Sequence, residues 1–224
     1  MIKKMKKIFI GLFAVIFSTV AANAEKRIGI SGAYTMFSSD GTETIKSSGT
    51  KTSKSHDDEA VVPSIFFELA NDNGLAVGLD FIPAEAELGS GKNARTDTDT
   101  DDASDTAGDN KVSAELTSHT TLYLSKSVGG NGAYFKGGVA FATIDTTETL
   151  ATGSTYGNED VTGFLVGLGV NKDNDNGTFF RTELTYTDYE DISITGSADS
   201  DGVSNKIDAD IDAVAFRISV GKAF

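Results

Sequence analysis

The chain has 224 residues, with 19 Lys or Arg against 33 Asp or Glu, so its formal net charge at pH 7 is -14. This acidic balance argues against a nucleic-acid partner, because phosphate binding needs a basic surface. Cysteine is absent, which excludes a disulfide framework, a thiolate metal site and a cysteine nucleophile. The length suits a single domain after an N-terminal leader.

The N-terminus has the three parts of a secretory signal peptide. A positive head precedes an apolar run over residues 8–22, and Ala22, Asn23 and Ala24 form a small-residue cleavage site. The apolar run, about 15 residues, is shorter than the roughly 20 that a membrane-spanning helix needs. We therefore predict a signal peptide at residues 1–24 and a mature domain at residues 25–224; the alternative is an uncleaved N-terminal helix. The head contains Lys3, Lys4, Lys6 and Lys7.

Eight later segments alternate apolar and polar residues with period two, as a strand does when its two faces meet different environments. They cover residues 27–37, 64–70, 75–82, 112–126, 133–144, 161–171, 178–189 and 211–224. The gaps alternate between long ones at 38–59, 84–111, 146–159 and 191–208 and short ones at 71–74, 129–132 and 172–177. Tight turns on one side and long loops on the other are typical of a membrane β-barrel. The pattern predicts an all-β, eight-stranded, up-and-down antiparallel transmembrane barrel.

Period two does not by itself say which face of a strand lies inside. The more polar face is rich in Gly, Ala and Ser, which suits the narrow interior of an eight-stranded barrel. The apolar face carries Phe and Tyr near the strand ends, as an aromatic girdle does. We therefore predict that the apolar face points outward to lipid. The alternative is a soluble barrel with the apolar face inside.

The last strand ends on an alternating apolar pattern. Phe216, Ile218, Val220 and the terminal Phe224 resemble the C-terminal assembly signal of bacterial outer-membrane barrels. The pattern departs from that signal at Lys222, where an aromatic residue is common; this lysine can extend its charge to the membrane interface.

The seventh segment carries a second resemblance. Its run from Arg181 to Tyr189, with Glu183 and spaced aromatics, is similar to the penultimate strand of alphaproteobacterial surface barrels. The mature chain resembles the OmpA-like and opacity-type eight-stranded barrels, a porin family of small outer-membrane proteins. This resemblance implies a bacterial outer-membrane location, with lipid, lipopolysaccharide and the barrel assembly machinery as partners. We expect no cofactor.

Charged residues on the polar face are the first candidates for a functional site. Parity places the following side chains in the lumen: Glu68, Asp80, Glu115, Lys136, Arg181, Glu183 and Arg217. Charges removed from water must be paired and hydrogen-bonded. We expect a structural network of ion pairs that fills the lumen; the alternative is a gated ion path. The pattern predicts that Arg217→Met lowers thermal stability by leaving Glu183 or a neighbouring acid unpaired.

His119 also faces inward by parity. Ser118 is adjacent in sequence and so points to the opposite face, and spacing places no carboxylate to orient the ring, so we expect a lumen-filling role and no catalytic residue. His56 lies beside Asp57, Asp58 and Glu59 and is expected to be solvated.

Two acidic stretches have spacing like that of calcium loops. Residues 96–102 lack the required Gly at Asp102 and the required Glu at Gly108, so we expect a disordered acidic loop with at most weak divalent-cation binding and no defined metal site. In residues 173–177, Asn176 and Gly177 stand between two predicted strands, so they predict a hairpin turn in preference to a calcium site.

Three functions remain open at this point. The first is a structural or surface role, with mobile acidic extracellular loops that could serve adhesion. The second is a narrow porin-like channel for small solutes or ions. The third is an outer-membrane lipid-modifying enzyme, although we predict that the protein is not an enzyme.

Overall fold

The computed structural model describes residues 24–46, 48–95, 108–150, 155–197 and 204–224. The predicted signal peptide and the stretch 96–102 therefore lie outside the described residues, apart from Ala24. The strands are β1 (Glu25–Thr44), β2 (Lys51–Ala70), β3 (Leu75–Phe81), β4 (Ala86–Arg95), β5 (Gly108–Ser127), β6 (Ala133–Thr149), β7 (Glu159–Asp173), β8 (Thr178–Tyr189), β9 (Ile192–Thr195) and β10 (Lys206–Ala223).

The strands form a closed antiparallel ring. The order of hydrogen-bonded neighbours is β1-β2-β3-β5-β6-β7-β8-β10, and β10 pairs back with β1. β4 pairs with β5 in continuation of β3, and β9 pairs with β10 in continuation of β8. Each of these two pairs of strands shares one position in the wall, so the ten described strands occupy eight positions. The predicted eight-stranded up-and-down barrel is confirmed. No helix within the described ranges is long and apolar enough to cross a membrane.

Three tight turns mark one end of the barrel, called here the lower end. Asn71 illustrates their chemistry, because its side-chain oxygen accepts hydrogen bonds from the backbone N–H groups of Asn73 and Leu75. Gly74, Gly132 and Gly177 adopt φ of 71°, 83° and 78°, a left-handed conformation that suits glycine.

The first long connection differs from the predicted mobile loop at 38–59. β1 and β2 continue pairing through this stretch, from Ser38 opposite Asp57 to Thr44 opposite Lys51. The prediction of a loop is therefore wrong here. The side chains of this extension are polar on both faces, so the apolar period that reports a strand is lost while backbone pairing continues.

The apolar face of the strands points outward, as predicted. On β8, Phe180, Leu184 and Tyr186 are exposed, while Arg181 and Glu183 between them are buried. Exposed apolar side chains on seven of the eight strand positions, together with the half-buried Leu122 and Leu124 on β5, form a belt around the barrel, called here the apolar belt. At the C-terminus it includes Phe216, Ile218, Val220 and Phe224; their role as an assembly signal stays a prediction.

A bulge in β5 changes the side-chain parity. The register between β5 and β6 shifts between Thr117 and Thr120, and Ser118 has a φ of 52°. Above this point Leu116 is buried in the core and pairs with Ile144, although alternation predicted that Leu116 faces outward.

Candidate functional site in the lumen

The lower lumen holds an ion pair between opposite sides of the wall. Arg181 on β8 donates from Nη1 and Nη2 to both carboxylate oxygens of Glu68 on β2, at 2.7 and 2.8 Å. Tyr123 donates its hydroxyl to the same carboxylate at 2.9 Å. Glu68 is 0% exposed and Arg181 6% exposed, so the pair is withdrawn from solvent and compensated by bidentate hydrogen bonding.

A second buried carboxylate lies beside the first pair. Glu183 accepts hydrogen bonds from Lys136 Nζ at 2.9 Å and from the hydroxyl of Tyr134 at 2.7 Å. The ammonium of Lys136 also stands 4.0 Å from the centroid of the Tyr123 ring, where the aromatic face attracts a cation.

Arg217 forms the upper boundary of these charges. Its Nη1 contacts the carboxylate of Asp80 and donates to the hydroxyls of Ser31 and Ser64, at 3.0 and 2.6 Å. Its Nε lies 4.0 Å from Glu183. The predicted partner of Arg217 was Glu183 or a neighbouring acid; Asp80 is the nearer one.

Six of the seven predicted lumen charges therefore lie together, and they are called here the charge cluster: Glu68, Asp80, Lys136, Arg181, Glu183 and Arg217. The prediction is wrong for Glu115. Its neighbour Leu116 is buried, so Glu115 points outward; in the backbone register it lies opposite Asp145 of β6. The bulge at Ser118 reverses the parity by which Glu115 was assigned.

Aromatic rings close the lumen below the charge cluster. The guanidinium of Arg181 lies 5.3 Å from the centroid of Phe66 and 5.3 Å from that of Phe179. The two rings lie 6.0 Å apart and tilted, which is a favourable aromatic arrangement. The rings and the ion pairs together fill the lower half of the barrel.

His119 lies above the charge cluster and points inward, next to the bulge. Its Nε2 is 2.9 Å from the hydroxyl of Tyr189 on β8. Ser118 is exposed on the opposite face of β5, so it does not approach the imidazole. This arrangement does not assemble a Ser-His pair.

Two hollows follow each other above Arg217. The first, the lower chamber, has a volume of about 50 Å³ and is lined by His119, Tyr189 and Arg217, by the threonines Thr35, Thr121, Thr185 and Thr187, and by apolar residues that include Phe37, Val62 and Leu116. The second, the upper cavity, has a volume of about 430 Å³ and lies in the part of the barrel beyond the apolar belt. Its lining includes Leu88, Ile144, Ile192, Ile194, Ile207 and Ile211.

The wall is interrupted beside the lower chamber. β2 and β3 pair only up to Ile65 opposite Phe81, and β4 then pairs with β5 and not with the upper part of β2 within the described residues. If the register continued, it would set Pro63 opposite Pro83. These are the two prolines of the chain, and proline lacks the N–H that a ladder needs. We call this interruption the side gap.

At the side gap, side chains without a strand ladder separate the lumen from the apolar belt. Val62, Ile82 and Ala84 flank it and also line the lower chamber. On the outer side of β2, Val61 and Ile65 are exposed. The two prolines are the sequence feature that marks this gap. The period-two pattern could not relate them to each other, because it gives no strand register between different segments.

Of the two acidic stretches with calcium-like spacing, only residues 173–177 lie in the described part of the chain. No group of three or more His, Asp or Glu side chains in that part is arranged to hold a metal. Residues 173–177 form a hairpin turn in which Asn174 and Thr178 are joined by a backbone hydrogen bond of 2.8 Å.

No protein-family model and no curated protein matches the chain. Solved structures do. The outer membrane protein OprG from Pseudomonas aeruginosa is 16% identical, with 92% of this chain and 98% of that chain covered and a TM-score of 0.60. The outer membrane protein AlkL, solved in lipid bilayers, is 10% identical, with 90% of each chain covered and a TM-score of 0.50. At these identities the likeness shows the fold, which is that of small outer-membrane β-barrels.

Proposed function

We propose that the chain is a bacterial outer-membrane barrel that takes small apolar molecules from outside into the upper cavity and releases them sideways through the side gap. One observation carries this proposal: the upper cavity is lined mainly by aliphatic side chains, with polar ones such as Lys54 and His56 among them, and the charge cluster closes the lumen below. The wall above the charge cluster lacks strand pairing between β2 and β3.

Physical chemistry favours the sideways route for such a solute. Passage straight through the barrel would bring an apolar molecule between Arg217, Asp80 and Glu183, whose hydrogen bonds and ion pairs would have to open. Transfer from water to aliphatic side chains is favourable, and onward transfer to lipid costs little because both environments are apolar. The exposed Val61 and Ile65 support an exit toward lipid.

A disulfide across the side gap tests the exit. The variant Val62→Cys/Ala84→Cys places two thiols where the continued β2–β3 register would set them opposite each other, in a chain that has no other cysteine. We expect oxidation to reduce the uptake of radiolabelled octane by intact cells to the rate of cells without the protein, and a reductant to restore it.

The control pair is Ala142→Cys/Val161→Cys, which joins two residues that already pair between β6 and β7. Its oxidation should leave octane uptake unchanged. Equal uptake by the oxidised and reduced forms of the gap variant, with the disulfide verified by mass, would contradict a sideways exit.

A surface role is the second candidate. It is supported by the β1–β2 extension, which carries exposed polar side chains on ordered strands beyond the apolar belt. Replacement of residues 45–50 by a Gly-Ser linker should weaken binding to host cells or to extracellular matrix if this role holds. The filled lower lumen supports a barrel with no ion conductance, and a planar bilayer with steady unitary currents would instead favour the channel. We propose no catalytic role, because Ser118 and His119 face opposite sides of the wall.

A further inference from the structure

His119 has one polar atom that the fold leaves free. The side chain is 8% exposed, its Nε2 meets Tyr189, and its Nδ1 has no hydrogen-bond partner among the described residues. Asp80 Oδ1, Arg181 Nε and Arg217 Nε also lack a hydrogen-bond partner there, but each belongs to a side chain that is already held in an ion pair. His119 makes no ion pair among the described residues, and a buried polar atom without a partner carries a free-energy cost, so its Nδ1 points to a ligand group that meets it.

The surroundings of His119 define what that group is. The lining of the lower chamber mixes polar side chains, which include His119, Arg217 and four threonines, with apolar ones, which include Val62, Ile82 and Ala84 beside the side gap. A molecule with one polar group and an apolar chain matches this mixed lining. The volume of about 50 Å³ suits the polar end and its first carbon atoms, because one water molecule needs roughly 10–15 Å³ of such space.

The charge cluster below indicates that the polar end is neutral. It contains three carboxylates and three cations, and each carboxylate already has a cationic partner. A carboxylate head would add an uncompensated charge in a place withdrawn from water. A hydroxyl group avoids that cost, and it can both donate and accept, so it fits either tautomer of the imidazole.

We propose that the lower chamber binds neutral monohydroxylated apolar molecules, with the hydroxyl on His119 Nδ1 and the chain directed to the side gap. This inference deepens the proposed function and rests on it for the origin of the ligand. It makes His119 a specificity-determining residue that separates an alcohol from the corresponding alkane.

The first test observes the ring nitrogen directly. The chain contains two histidines, so the His56→Gln variant leaves one ¹⁵N-labelled imidazole to follow by NMR in lipid nanodiscs. 1-Octanol should shift the Nδ1 resonance of His119 in a saturable way, while octane and octanoate should not. Ala215→Phe, which fills the lower chamber from β10, should remove the response to octanol in protein that still migrates as a folded barrel.

The second test measures selectivity. The ratio of 1-octanol to octane uptake should fall about fivefold in His119→Phe, since a lost hydrogen bond is worth about 1 kcal/mol. His119→Gln should retain most of the ratio, because its amide can still donate and accept. A folded His119→Phe protein with the wild-type ratio, or an Nδ1 resonance that octanoate shifts more than octanol, would overturn the inference.

The two proposals fail in different ways. One outcome is octane uptake that the side-gap disulfide blocks, with an Nδ1 resonance that octanol does not shift. It would support the proposed function and refute the role of His119. The other outcome is an octanol-induced shift that Ala215→Phe removes, with octane uptake that is the same in the oxidised and reduced gap variant. It would support ligand binding in the lower chamber and refute the sideways exit.

Discussion

Arg181 is the residue whose removal should cost the most stability. In Arg181→Met the carboxylate of Glu68 stays buried without its bidentate partner, so we expect the free energy of unfolding to fall by roughly 3–5 kcal/mol. Denaturant unfolding in lipid vesicles would measure it. Arg181→Met/Glu68→Gln should recover part of the loss, because the second change removes the unpaired charge.

The exposed pair of Lys206 and Asp208 is the matched control, since its side chains are 45% and 46% exposed. Lys206→Met should leave the unfolding midpoint close to that of the wild type, because solvent screens such pairs. Equal losses in Lys206→Met and Arg181→Met would show that burial does not set the cost.

Gly78 gives a second prediction at the residue scale. A Cβ at this position would overlap the ring of Tyr123, whose hydroxyl bonds Glu68. Gly78→Ala should therefore lower the free energy of unfolding by about 1–3 kcal/mol. Gly32→Ala is the control in denaturant unfolding, because a Cβ there meets nothing within 4 Å. A Gly78→Ala protein as stable as Gly32→Ala would mean that the ring of Tyr123 moves freely.

The inward position of single charges could be predicted from alternation alone, but their partners could not. Parity indicates that Glu68 and Arg181 both face inward, yet these residues lie 113 positions apart on strands that are not neighbours. Which charges meet depends on the stagger of the strands around the ring, and a single sequence does not report it. Glu115 was misassigned because one bulge reverses every parity beyond it.

At the scale of elements, the bulge in β5 depends on an unusual backbone conformation. Ser118 has a φ of 52°, which costs a non-glycine residue about 1–2 kcal/mol. Ser118→Gly should therefore raise the free energy of unfolding by up to about 1 kcal/mol, after the larger entropy of the unfolded glycine chain is subtracted. Thr120→Gly, in the regular part of β5, should lower it. A loss of stability in both variants would mean that the hydroxyl of Ser118 matters more than its backbone.

The outer end of β10 carries a charge repulsion that pH can relieve. Partial burial, and then repulsion from Asp210, Asp188, Asp40 and Asp57, raise the pKa of Asp212 above its ordinary value of 3.8. The folded state thus holds this proton more tightly than the unfolded chain does. The resulting contribution to stability is full below pH 3.8 and is lost as the pH rises through the folded pKa.

Asp212→Asn should therefore stabilise the barrel at neutral pH, by less than about 1 kcal/mol, and the difference should vanish in acid. Unfolding midpoints between pH 3 and pH 8 would measure it, with Asp175→Asn in the exposed lower turn as the control. A benefit that is the same at every pH would argue against charge repulsion as the cause.

The extension of β1 and β2 shows where sequence patterns stop reporting strands. In the apolar belt, period two arises because lipid and lumen impose different side chains on the two faces. Beyond the belt both faces meet polar surroundings, so the Ser, Thr and Asp residues of 38–59 resemble a loop while their backbones continue the ladder. The short turns were predictable because Asn and Gly provide their chemistry locally.

At the scale of the whole molecule, the closed ring predicts a detergent-resistant protein. The folded barrel should migrate faster than the boiled chain on a gel, because closure keeps it compact and its backbone hydrogen bonds satisfied. Mobility with and without boiling, on protein folded into micelles, measures this. A water-soluble protein without such a shift would contradict the membrane assignment.

The buried ion pairs join strands that are not neighbours in the wall: β2 to β8, β3 to β10 and β6 to β8. They connect separate parts of the wall across the lumen, so the lower half should resist deformation to an oval cross-section by the lateral pressure of a bilayer. Within the apolar belt, the wall at the side gap lacks strand pairing and lies above these ion pairs. Deformation of the barrel by lipid should therefore concentrate at the side gap, while the lower half keeps its shape.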